Sequence, residues 1–167
     1  MKIADAADNK PVLDVGCGSG RNAVLLSRFG CTVVCLDKDL TSLHTLRASL
    51  DQSPLRKASA ELIARQVDLE KDRWPFTSNV VGGIISVHFF MPVLFPHFTT
   101  SLSSGGYLLL QTVPGCGGNY VELPKALEVR STFEMGFSIE FYKEHKVGPP
   151  GSNAVTVQML AKKRPLN

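Results

Sequence analysis

The stretch VLDVGCGSGRNAVLLSRFG, from Val12 to Gly30, constrains the fold of this chain more than any other. An apolar run passes directly into glycines at 16, 18 and 20 and then into a helix-like run. Glycine has no Cβ, so the backbone there can turn tightly and come close to another group. Beyond the loop, Asn22, Leu25, Leu26 and Phe29 fall at i, i+3, i+4 and i+7, which predicts an amphipathic helix, and Gly30 stands where a C-terminal cap is wanted. A strand that turns over a glycine loop into a helix is the opening unit of a wound α/β sheet.

The rest of the chain repeats that grammar. Further apolar runs lie at 31–36, 65–69, 82–90, 106–113, 137–142 and 154–160. Several are continuous rather than alternating, as expected of strands buried on both faces of a parallel sheet, so helices must cover both sides. Leu40, Leu43, Leu46 and Leu50 predict a second helix, with Asp39 available to cap it. Pro92 and Pro96 allow only a short or broken helix over 91–102, whereas 123–136 has Pro124 near a helix start and Gly136 near its end. The link KEHKVGPPGSN is too short and turn-rich for a crossover helix, so the last two strands should pair antiparallel. The expected fold is α/β: a doubly wound, mostly parallel seven-stranded sheet ending in an antiparallel hairpin, in three α/β/α layers. At 167 residues, 1–167 is expected to form a single domain.

Composition excludes several classes. No apolar run approaches the roughly 18 residues of a membrane span, and the first ten residues hold no apolar signal core, so a cytoplasmic location is expected. Net charge is only +3, and the one tight basic run, Lys162-Lys163-Arg164, reads as a solvated tail, which makes a nucleic-acid partner unlikely. Cys31 and Cys35 stand four strand steps apart, about 13 Å, beyond the roughly 7 Å reach of a disulfide. With Cys17 in the glycine loop and Cys116 far along the chain there is no CxxC pair, so reduced structural thiols are expected and no metal site.

In wound sheets ligands bind at the carboxyl ends of the strands, beside the first one. Asp37 ends the second apolar run seventeen residues after Gly20, where a carboxylate can accept from both hydroxyls of a ribose. A phosphate-binding dinucleotide site and an adenosyl site without phosphate then compete. The spacing of Gly16, Gly18 and Gly20 fails the GxGxxG pattern. Asp14, inside the strand, would repel pyrophosphate yet suit an amino group or sulfonium.

With VLDVGCGSGR, VVCLDKD, VDLEKDRWPF, GGIISVHFF and GGYLLLQT in this order, the chain resembles the class I S-adenosylmethionine-dependent methyltransferases over nearly all of 11–164. More narrowly, GCGSGRN, Asp37-Lys38 and MLAKKR are similar to the small tellurite-resistance (TehB-like) methyltransferases. The resemblance implies S-adenosylmethionine as cofactor, S-adenosylhomocysteine as product and a Rossmann-like methyltransferase fold. It implies that Asp14, Gly16, Cys17, Gly18 and Gly20 cradle the methionine part, that Asp37 holds the ribose, and that Lys38 lies beside the adenine. It further implies that Asp68 accepts from the adenine amino group, that the Leu69 backbone meets the ring, and that Ser86 and His88 face the sulfonium and the substrate.

The expected reaction is methyl transfer to a small molecule or soft anion: a thiol, an amine or a chalcogen oxyanion. His88 is the nearest candidate for a general base where one is needed. Only ten or so residues precede the first strand, and the family usually carries an N-terminal segment that closes over the site. The expectation is therefore an open pocket, a partner subunit covering it in a homo-oligomer, or a shortened chain. The run NVVGGII also lacks an acidic residue often seen there. The alternative is a methyltransferase-like module that binds cofactor or a partner chain and turns nothing over.

Overall fold

Seven strands join in one sheet in the computed structural model, which describes residues 2–51, 61–115 and 118–165. Strands β1 (Val12–Val15), β2 (Val33–Asp37), β3 (Leu62–Gln66), β4 (Val81–Val87), β5 (Leu102–Gln111), β6 (Phe137–Lys146) and β7 (Val155–Lys163) lie in the order β3-β2-β1-β4-β5-β7-β6. The first five run parallel, and β7 runs against both β5 and β6. The predicted terminal hairpin is present, with Lys146 opposite Val155.

Two helical layers cover the sheet, as the continuous apolar strands require. On one face lie α1 (Lys2–Ala6), α2 (Arg21–Arg28) and α3 (Thr41–Asp51), packed on Val12, Cys35, Ile85 and Tyr107. On the other, α4 (Phe95–Ser101) and α5 (Glu128–Phe133) pack on Leu13, Ile84, Leu108 and Met159 through the rings of Phe95, Phe98 and Phe133, which Phe137 of β6 joins. Successive rings of Phe95, Phe133 and Phe137 lie 5.0 and 5.3 Å apart, within the range of favourable tilted pairs.

Several elements differ from the sequence reading. Of the predicted stripe on α2, Leu26 is buried as expected, but Ala23 is buried in place of Leu25, and Leu25 and Phe29 are 49% and 54% exposed. Ala23 is fully buried where its N–H meets Asp14 of β1. Helix α5 starts at Glu128 instead of near Pro124, because Pro124 O accepts from Val155 N and Lys125 bridges to Ala154, which holds that segment extended against β7. Between β3 and β4 no regular helix forms among the described residues. Trp74 anchors that connection instead, donating its indole N–H to Ser101 Oγ at 2.8 Å and packing on Phe98.

Lys163 is not part of a solvated tail. It lies on β7, 6% exposed, and its ammonium donates to Thr99 O, Leu102 O and Asn79 Oδ1. Burial lowers its pKa.

The two glycines of NVVGGII lie where the chain packs closely on β4. A Cβ on Gly82 would collide with the backbone of Ala7, and one on Gly83 would meet the Ile3 side chain at 2.7 Å. These glycines therefore seat α1 directly on β4, and Lys2 at its start reaches Glu140 on β6.

Candidate active site

The site forms along the carboxyl edge of the parallel strands, where β1, β2, β3 and β4 each end in a loop. The glycine loop is shaped by its backbone: Gly16, Gly18 and Gly20 have φ of 68°, 51° and 77°, a region that other residues enter only under strain. Gly20 is also the residue before α2, and a Cβ there would run into Leu43 of α3. The loop is tied down by β2, since the N–H groups of Gly16 and Cys17 both donate to Leu36 O.

Asp37, at the end of β2, joins two loops through one carboxylate. Oδ2 accepts from Gly18 N at 2.8 Å and Oδ1 from Asp39 N at 3.1 Å. Each oxygen keeps lone-pair capacity for a further donor. Asp39 in turn accepts from Thr41 N at the start of α3, so the predicted cap is present.

Strand β3 ends at Gln66, three residues earlier than the run 65–69 suggested, and this places Val67, Asp68 and Leu69 on the rim. Asp68 closes a tight turn: Oδ1 accepts from Glu70 N, Asp68 O accepts from Asp72 N, and Asp68 N donates to Asp72 Oδ2. The Lys71 ammonium, 3.2 Å away, and the Glu70 N–H hold the Asp68 carboxyl below its usual range, so it is an acceptor near neutrality.

Together these loops enclose a cleft of about 320 Å³ lined by Gly16, Asp37, Lys38, Val67, Asp68, Leu69, Glu70, His88, Phe89 and Met91. Six of the residues singled out in the sequence thus meet: Gly16, Asp37, Lys38, Asp68, Leu69 and His88. Asp14, Cys17, Gly18, Gly20 and Ser86 do not line it.

Alternation along β1 explains Asp14. Its side chain faces the α2 side of the sheet, 1% exposed, and accepts from Ala23 N at 3.1 Å in the first turn of α2. It steadies the loop from beneath and does not reach the cleft. Burial pushes its carboxyl up to about 7, against the opposing hydrogen bond from Ala23. The folded chain therefore retains a proton that the unfolded chain releases above 3.8, so stability declines as pH rises from there to about 7. Relative to Asp14→Asn, the unfolding free energy of the natural chain should fall by at least about 1.4 kcal/mol between pH 4 and pH 8, the equivalent of one pH unit. Urea titrations on both proteins check this, and parallel pH curves would refute it.

The Cys17 thiol lies against Cys35 in the core, a contact that with burial raises its pKa, and it also donates to Gly18 O within the loop at 3.9 Å. Cys31 is likewise buried with a free thiol, and Cys116 lies outside the described residues. Ser86, buried at the end of β4, donates its Oγ to Phe89 O at 2.9 Å and so shapes the turn that follows. In that turn His88 adopts a φ of 57°. Phe89 comes back against the loop, its ring lying where a Cβ on Gly16 would sit.

The sequence reading passed over Val67, Glu70, Phe89 and Met91. Their signal was position alone: each follows closely on the end of a strand.

Fold and cleft together define the class: a class I S-adenosylmethionine-dependent methyltransferase fold, with its cleft at the switch point beside β1. The chain belongs to the methyltransferase-domain family, whose model matches residues 12–106. It is 32% identical over 115 residues to the ribosomal protein L11 methyltransferase of Campylobacter concisus. That match takes in 68% of this chain and 38% of the relative, so the chain spans well under half the length of that relative. Among solved structures it is similar to an S-adenosylmethionine-dependent methyltransferase of Methanosarcina mazei, with TM-score 0.65, 15% identity and coverage of 97% of this chain and 96% of that one. TehB of Haemophilus influenzae superposes with TM-score 0.68 and 20% identity over 96% of this chain and 60% of the other. No helix among the described residues is long and apolar enough to cross a membrane.

Proposed function

We propose that this chain transfers a methyl group from S-adenosylmethionine to a small molecule or soft anion. The observation that carries the reading is the make-up of the cleft, which is lined by the carboxylates of Asp37, Asp68 and Glu70 and by Lys38 beside the apolar Val67, Leu69, Phe89 and Met91, with Lys71 pairing Asp68 from outside the lining. Apolar walls edged by carboxylates suit a nucleoside that bears a positive charge, whereas an excess of carboxylates repels the pyrophosphate of a dinucleotide.

Asp37 would take the ribose hydroxyls with the lone pairs its two backbone donors leave over. Asp68 would accept from the adenine amino group, with Leu69 against the ring and Lys38 beside it. Gly16, Cys17, Gly18 and Gly20 would offer backbone to the methionine end, with Asp14 and Ser86 holding the loop and the β4 turn in shape. The bound cofactor supplies an electrophilic methyl on a sulfonium, whose departure as a neutral thioether needs no acid. What the chain contributes is alignment and exclusion of water by Phe89 and Met91.

The test is calorimetry with S-adenosylhomocysteine, with oxidised nicotinamide dinucleotide as comparator, followed by product analysis on thiols, amines, tellurite and selenite. Micromolar binding of the first ligand alone and methylation of at least one acceptor are expected. No heat at millimolar S-adenosylhomocysteine would overturn the reading. The name of the Campylobacter relative supports a second reading, a protein acceptor, so ribosomal protein L11 belongs in the same panel. Binding without turnover on any acceptor would instead identify a non-catalytic module.

A further inference from the structure

We infer that Gln111 is a positioning residue that holds the His88 imidazole as a hydrogen-bond donor, so that the methyl acceptor enters this cleft as an anion rather than as a group that must first lose a proton. The inference rests on the methyltransfer reading above for its second half only.

His88 and Gln111 close the adjacent ends of β4 and β5 and are joined twice. The His88 N–H donates to Gln111 O at 2.8 Å, which secures the left-handed backbone at His88. Across the same pair, Gln111 Nε2 lies 3.3 Å from His88 Nε2. An amide nitrogen carries two protons and has no lone pair to offer, so Gln111 donates and the ring nitrogen accepts. A neutral imidazole that accepts at Nε2 carries its proton at Nδ1. Nδ1 has no hydrogen-bond partner among the described residues, while His88 lines the cleft.

The chemical consequence follows from that tautomer. A ring whose lone pair is committed to Gln111 and whose other nitrogen is protonated can hold a thiolate or an oxyanion, but it takes no proton from an ammonium or a hydroxyl. With an anionic acceptor none needs to be taken. A lone pair on sulfur or oxygen forms the new bond to the methyl carbon while the sulfonium carbon–sulfur bond breaks, its electron pair leaving with the thioether. His88 is thus a candidate for orienting the acceptor, in place of the general base that the sequence suggested.

Long-range proton–nitrogen NMR on the uniformly labelled 167-residue chain at pH 8 reads the tautomer without any need for turnover. The His88 signals are identified by their loss in His88→Gln. Protonation at Nδ1 is expected in the natural chain and at Nε2 in Gln111→Glu, whose carboxylate can only accept. Nε2 protonation in the natural chain would overturn the inference. In the activity arm, kcat/KM for a thiolate acceptor should fall at least tenfold in Gln111→Glu, and faster turnover of amines than of thiolates by the natural chain would also overturn it. Nδ1 protonation with no methylation of any acceptor would uphold the pairing of Gln111 with His88 and strike down the methyltransfer reading instead.

Discussion

Asp37→Ala is expected to weaken S-adenosylhomocysteine binding by about a hundredfold or more, because the substitution removes two supports at once. On the proposed function the ribose would lose its carboxylate, and hydrogen bonds to a charged group are worth about 1.5–3 kcal/mol each. The glycine loop loses its tether, since Gly18 N and Asp39 N donate to opposite oxygens of that carboxylate. At about 1.4 kcal/mol per tenfold, the loss of even two such bonds reaches two orders of magnitude. Asp37→Asn keeps one acceptor oxygen, so its loss should be smaller, about tenfold. Titration calorimetry on the three proteins decides the matter: an affinity for Asp37→Ala within threefold of the natural chain would remove Asp37 from the site.

Gly82→Val should destabilise the chain markedly, because Gly82 is buried on β4 against the backbone that follows α1. A Cβ at Gly82 would overlap the Cα and carbonyl carbon of Ala7, and backbone cannot rotate aside as a flexible side chain does. The chain then either strains β4 or releases α1, which uncovers Ile3 and Ala7 and separates Lys2 from Glu140. Overpacking of this kind costs about 1–3 kcal/mol, and about 2–4 °C of melting temperature accompanies each kcal/mol in a chain of this size. A drop of about 5–10 °C in thermal unfolding is expected. Gly136→Ala, where a Cβ meets nothing within 4 Å, is the matched control and should melt with the natural chain. Equal melting of all three proteins would show that α1 is not docked through Gly82.

Much of the fold was legible because its signals are local. The glycine loop, most of the apolar strands, Asp39 before α3 and the short GPPG link each fix a backbone choice within a few residues and appear where expected, whereas β3 lies at 62–66 and not at 65–69. Helix faces and boundaries were less legible. Of the apolar residues at helical spacing on α2, Leu26 is buried as expected, but the period alone does not tell that Ala23 is buried and Leu25 and Phe29 are not. Pro124 is a sound start for a helix in isolation, but a β-bridge to Ala154, distant in sequence, holds it extended.

The cleft divides in the same way. By itself the sequence determined that a glycine loop follows β1 and that carboxylates end β2 and follow β3, because residue type and spacing specify turns and strand ends. Only the tertiary structure decided which side chains reach the cleft. Strand alternation sends Asp14 to the helix α2 side, packing turns Cys17 toward Cys35, and the turn after β4 lays Phe89 on Gly16. The pairing of β4 with β5 brings Gln111 to His88 across 23 residues of sequence. Such contacts depend on the direction of side chains in the assembled sheet, a property of the packed whole that no local spacing encodes.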